Sequence, residues 1–290
     1  MRPTSTGSLL ILLVALLVAP SLASSEVMPD ATAGESDRRG TPRVFRFEVT
    51  SEDPVAQGER LSAVLGCIGC HKPDLTGEDW TDPELGVLWT ANLTHSAAKY
   101  SGVELAAMIT AGARPDRPLM DMPSFLFSEL HPDDLAALVS YLKTLTVKGV
   151  QHPAPTIGPQ LARDISSGEF KDSAQQVVAM RDQAPPDLGP EHAFARHILR
   201  ATCVECHGMD LRGGDENIAD APPRPDLRMV SAYSPEDFSS LMRTGKAIGG
   251  RDLELMSGVA RWRYSRFTEA EITAVYDYLV ELARRDLQQR

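Results

Sequence analysis

The sequence predicts an all-α fold made of two tandem helical units, and three observations lead there. The pentapeptide Cys67-Ile68-Gly69-Cys70-His71 returns 136 residues later as Cys203-Val204-Glu205-Cys206-His207. The segments around the two copies align as one repeated unit. Strand signal is nearly absent, apart from the alternation Val44-Phe45-Arg46-Phe47-Glu48-Val49 ahead of the first unit.

Each unit opens on a helix that runs into its pentapeptide. In the first, Asp53-Pro54 reads as an N-cap followed by proline at the first helical position, and Val55, Leu61, Val64 and Leu65 are the apolar positions. In the second, Pro190 to Thr202 does the same with Phe194, Ile198 and Leu199. A polar loop follows each motif, Asp74-Leu75-Thr76-Gly77 and Asp210-Leu211-Arg212-Gly213-Gly214. Asn92-Leu93-Thr94 and Pro225-Asp226-Leu227 come next, then amphipathic helices over Val103–Gly112 and Pro235–Gly245 that end at glycine. A helix closes each unit. Pro132-Asp133-Asp134 opens the first, with acidic residues at its positive end. Thr268-x-x-Glu271 is a capping box for the second, and Tyr141 and Tyr278 hold similar places in the two helices. Six prolines between Pro153 and Pro190 flank a weakly amphipathic stretch, Ile165–Ala179, read as a linker strapped over the domains.

The motifs use all four cysteines of the chain. Cys-x-x-Cys-His is the attachment signature of a c-type haem: two thiols add across the porphyrin vinyl groups and the adjacent imidazole ligates iron. Disulfide, redox-dithiol and zinc readings compete. A zinc ribbon sets its cysteine pairs about 15–20 residues apart, whereas Cys70 and Cys203 are 133 apart. A redox dithiol gives no reason for histidine after both pairs. Two covalently attached haem c groups are therefore expected, on Cys67, Cys70 and His71 and on Cys203, Cys206 and His207. A unit of this size is short of apolar side chains, so each haem is expected to supply much of its core.

Residues 1–24 carry Arg2, an apolar run from Leu9 to Ala19 and then Pro20, Ser21, Ala23 and Ser24. That pattern is a secretory signal peptide. The run is 11 residues, against about 20 for a transmembrane helix, and no later segment could span a membrane. An exported, periplasmic protein is expected, organised as signal peptide 1–24, N-terminal extension 25–50, first domain 51–147, linker 148–188 and second domain 189–290. The net charge of −11 makes nucleic acid an improbable partner. Residues 51–146 hold 14 acidic and 6 basic side chains, and residues 189–290 hold 16 and 14. The acidic first half either faces a basic patch on a redox partner or is simply a solvated surface.

The sixth iron ligand separates an electron carrier from an enzyme, and a methionine thioether suits a carrier. In Pro118-Leu119-Met120-Asp121-Met122-Pro123 both methionines are at workable positions. Met122 is preferred because Pro123 stiffens the backbone beside it. It follows His71 by 51 residues, and Met256 follows His207 by 49. The expected metal ligands are thus His71, Met122, His207 and Met256.

With these residues in place, the chain resembles two class I cytochrome c domains in tandem, as in bacterial di-haem cytochromes c. The resemblance runs through Gly58-Glu59-Arg60-Leu61, Ala91-Asn92-Leu93-Thr94, Met122-Pro123-Ser124 and Asp133-Asp134-Leu135, and then Leu241-Met242-Arg243-Thr244-Gly245, Leu255-Met256-Ser257 and Thr268-Glu269-Ala270-Glu271. It departs at Phe194-Ala195, where the first unit has a glycine in its opening helix, and at His131, where the family often has a serine or threonine cap. The resemblance implies Met122 and Met256 as sixth ligands, and redox partners such as a periplasmic dehydrogenase or a terminal oxidase. An electron carrier without catalytic residues is the expected function. A di-haem cytochrome c peroxidase-like enzyme is the alternative, and it would need one open iron position.

Overall fold

Proline starts many of the helices and left-handed glycine ends several, so local sequence sets most of their bounds. The computed structural model describes residues 45–214 and 224–289. The signal peptide expected over 1–24, and most of the 25–50 extension, lie outside the described residues. In chain order the first half carries α1 (Pro54–Val64), α2 (Cys67–Cys70), α3 (Leu93–Lys99), α4 (Gly102–Ala111), α5 (Ser124–Phe127) and α6 (Pro132–Lys143). Two helices follow in the connecting stretch, α7 (Pro159–Ser167) and α8 (Ser173–Ala179). The second half carries α9 (Ala193–Thr202), α10 (Val204–His207), α11 (Pro235–Thr244), α12 (Leu255–Trp262) and α13 (Glu269–Gln288).

The expected caps are present. Asp53 accepts from the Val55 N–H, and Thr268 and Glu271 form the reciprocal capping box of α13. His131 caps α6 through Nδ1, which accepts from the Asp133 N–H at 3.1 Å. Gly112 and Gly245 close α4 and α11 in the left-handed conformation. Among the described residues the fold is all-α except for a hairpin of two-residue strands, β1 (Lys246–Ala247) antiparallel to β2 (Arg251–Asp252).

Of the alternating segment, residues 45–49 are described and form no strand. Side-chain carboxylates take the place of a neighbouring strand. The Phe47 N–H donates to Asp134 Oδ2 at 2.8 Å and the Glu48 N–H to Glu271 Oε1 at 3.0 Å. This segment therefore touches the closing helices of both halves. The connecting stretch carries two helices, α7 ending at Gly168 with φ +78° and α8 following it. It is strapped down by backbone bonds, from the Thr156 N–H to the Val87 carbonyl (3.0 Å), from Gly158 to Leu85 (2.9 Å) and from Ser173 to Leu119 (2.9 Å).

The halves differ in how their first and last helices meet. A Cβ on Gly58 would stand 2.0 Å from the Ala137 carbonyl oxygen, so its absence lets α1 lie directly on α6. The second half has buried Ala195 on α9 instead, and α9 packs less closely on α13 than α1 does on α6. The tyrosines keep comparable places: Tyr141 abuts Gly58, and Tyr278 meets the His192 ring edge-on at the start of the second half.

Buried apolar side chains of both halves form one continuous cluster, including Leu61, Leu126 and Leu138 from the first and Ile198, Leu199 and Leu279 from the second. Polar contacts cross the same boundary. Arg60 of α1 pairs with the fully buried Glu271 of α13 and donates through Nε to the Arg266 carbonyl at 3.0 Å. Arg200 of α9 donates to the Phe125 carbonyl at 3.3 Å. Breaking a buried pair strands a charge, so Arg60→Ala is expected to destabilise the holoprotein by about 3–5 kcal/mol in denaturant titrations.

His197 packs beside Phe47, ring centroids 5.6 Å apart, and its Nε2 is buried without a hydrogen-bond partner among the described residues. Burial, aided by neighbouring His131 and Arg200, lowers its pKa from 6.5 to about 4. Below pH 6.5 the unfolded chain then binds a proton that the folded chain refuses. The stability at stake is intact above that pH and is lost as pH falls toward 4. His197→Phe should flatten the pH dependence of stability between pH 6.5 and 4, by up to about 3 kcal/mol.

Candidate haem-binding sites

Each pentapeptide lies at the end of its opening helix and turns into a loop whose geometry repeats almost atom for atom. Gly77 donates to the His71 carbonyl and Gly213 to the His207 carbonyl, both at 2.9 Å. Leu75 and Leu211 both adopt a left-handed backbone, at φ 60° and 59°, and both are buried. Asp74 and Asp210 support these turns by accepting from the N–H two residues on. Glycine is required next: a Cβ on Gly77 would stand 2.4 Å from the Thr90 carbonyl oxygen, and one on Gly213 2.0 Å from that of Arg224. The Leu93 N–H then returns to the Leu75 carbonyl, and that of Leu227 to Leu211.

These loops hold the two histidines. His71 Nδ1 donates to the Ala91 carbonyl at 2.8 Å, and His207 Nδ1 to the Pro225 carbonyl at 3.0 Å. A carbonyl can only accept, so the proton is on Nδ1 and Nε2 is the nitrogen left to bind a metal. Burial lowers both histidine pKa values, which keeps the rings neutral. Burial also pushes the Cys67 and Cys70 thiols up to about 11 and raises Cys203. Sites that disfavour a thiolate oppose a reactive dithiol. Neither cysteine pair is joined by a disulfide.

Beside the first motif is a cavity partly open to solvent. Leu105, Met108, Ile109, Phe127, Leu138 and Leu142 supply its apolar wall, with Cys67, Cys70 and His71 on the lining. Met122 and Pro123 line it too. Met120 lines a separate open groove beside Phe170 and Val178 of the connecting stretch. A flat, largely apolar macrocycle with one imidazole and one thioether ligand fits this donor set and wall.

In the second half Cys203 and Met256 are half-buried and pack against the core, and the rings of Tyr264 and Phe267 stack on each other. Tyr264 Oη donates to the Thr202 carbonyl at 3.2 Å. Residues 215–223, between the motif loop and Pro225, lie outside the described residues. Met256 sits in the first turn of α12, whereas Met122 stands in a non-helical segment ahead of α5.

Two serines were not singled out in their own right by sequence reasoning. Ser124 is fully buried; its hydroxyl donates to the Met108 carbonyl at 2.8 Å and its N–H to the Met122 carbonyl at 2.7 Å. Ser257, equally buried, donates to the Gly245 carbonyl and accepts from the Leu253 N–H. Each ties a methionine segment to the end of the helix before it. The available signal was a serine one or two residues after each candidate methionine.

The cytochrome c family model matches the chain twice, over residues 55–146 and 195–283. The chain belongs to the cytochrome c family. Covalent haem c is the prosthetic group this family implies. This cytochrome is similar to the cytochrome c subunits of alcohol dehydrogenase (quinone) from Gluconacetobacter polyoxogenes and Komagataeibacter europaeus. Each is 24% identical over 264 residues, covering 79% of this chain and 56% of the relative. The cytochrome thus spans little more than half the length of these relatives. Among the described residues no helix is long and apolar enough to cross a membrane.

Ser124→Ala and Ser257→Ala should each destabilise the holoprotein by about 1–3 kcal/mol, because each leaves a buried carbonyl without its donor. Thermal unfolding of the two variants against the parent measures this.

Proposed function

We propose that this cytochrome is an exported, periplasmic di-haem electron carrier. Cys67 and Cys70 would attach one haem and Cys203 and Cys206 the other, and His71, Met122, His207 and Met256 are the side chains that would hold the irons. The observation that carries this reading is the repeated loop, in which each half fixes its histidine by an Nδ1–carbonyl bond.

Haem c, when bound, supplies a one-electron ferric/ferrous couple. The side chains do the rest. The Ala91 and Pro225 carbonyls orient the imidazoles, and Ser124 and Ser257 restrain the methionine segments. The apolar wall of the first cavity excludes water, which favours the less charged, reduced state. A methionine on the sixth position of each iron would leave no open site for substrate, in keeping with a carrier role.

A dehydrogenase is the proposed electron donor, supported by the names of the relatives. The acidic excess of residues 51–146 suits docking against a basic face of such a partner.

Ferric spectra of the holoprotein test the reading. The methionine–iron charge-transfer band should account for both haems, with Met122→Ala and Met256→Ala each removing about half of it. Met120→Ala should leave it intact. A high-spin signal from one haem, with peroxide consumption, would overturn the carrier assignment.

A further inference from the structure

Arg263 is a buried cation where the two attachment motifs meet. It follows α12 in the second half and is 8% exposed. Its Nη1 donates to Glu205 Oε2 at 2.8 Å, its Nε to the Val64 carbonyl at 3.3 Å, and its guanidinium lies 5.6 Å from the Tyr264 ring centroid. Nη2 is buried and has no hydrogen-bond partner among the described residues.

The guanidinium also presses on the turn that precedes Cys67. A Cβ on Gly66 would stand 2.5 Å from Arg263 Cζ, and Gly66 has φ +84°. Glycine is needed there both for its backbone and for the close approach of the cation. Glu205 lies between Cys203 and Cys206 in the second motif, yet it lines the first cavity. One ion pair therefore belongs to both attachment turns.

A fixed charge so poorly exposed is weakly screened by solvent and salt. Reduction at either site takes one electron from a reduced donor, ferric to ferrous, with no bond made or broken. A nearby cation favours the reduced form, and a nearby carboxylate favours the oxidised form.

We propose that Arg263 is a positioning and tuning residue shared by both haem sites: it holds the two attachment turns together and raises both reduction potentials, with Glu205 as the opposing charge. This rests on the di-haem reading above. Haem content and the methionine band test that reading, whereas the potentials test this one.

The experiment is an optical redox titration of the holoprotein with dithionite as reductant. Arg263→Gln should lower both potentials by about a tenfold change in the reduction equilibrium, 59 mV for a one-electron couple. Glu205→Gln should raise them, the double variant should return toward the parent, and Arg263→Lys, which keeps the charge, should stay near it. A mere clamp predicts no sign reversal. Unchanged potentials, or shifts of the same sign in Arg263→Gln and Glu205→Gln, overturn the proposal. If Arg263→Gln fails to load haem, Glu205→Gln decides alone: a potential that does not rise overturns it.

Discussion

The histidine that follows each cysteine pair is held at both ends of its residue, and most of the local architecture follows from that restraint. Its carbonyl accepts from a glycine six residues on, and its ring donates to a carbonyl eighteen or twenty residues on. The intervening chain must therefore double back tightly. A buried left-handed leucine, an aspartate-supported turn and a glycine with no room for a Cβ are the means by which it does so. A histidine held in this way would need little reorganisation if it ligated an iron that changed oxidation state, as the proposed carrier role requires.

The halves share this loop but not the surroundings built on it. The first closes α1 tightly on α6 through Gly58, while the second sets a longer α13 against α9 and the end of the connecting stretch. The methionines differ as well, one ahead of a short helix and the other inside the first turn of α12. The buried serines compensate, since each fixes its methionine segment to a helix end by a different route. The halves are also less independent than a tandem repeat suggests. They share one apolar cluster, and a buried cation of each reaches across to the other, Arg60 to Glu271 and Arg263 to the Val64 carbonyl.

Much of the fold was legible because its signals are local. Asp53-Pro54, Pro132 and the Thr268–Glu271 box each act within one turn, and each cap formed as read. The N–H groups of Phe47 and Glu48 go to carboxylates of α6 and α13, a pairing that the local alternation does not signal. Within the linker the left-handed backbone of Gly168 ends α7, a local signal carried by the glycine itself.

From sequence alone come the two attachment motifs, the histidine beside each and the duplicated helical unit, since cysteine spacing and helix caps are contiguous along the chain. Tertiary structure alone decided that Met122 and not Met120 lines the first cavity, that Ser124 and Ser257 anchor the methionine segments, and that an arginine of the second half lies against the first motif. Those features join residues such as 66 and 263, or 60 and 271. Nothing in the local pattern of either partner names the other; only the packing of one half on the other brings them together.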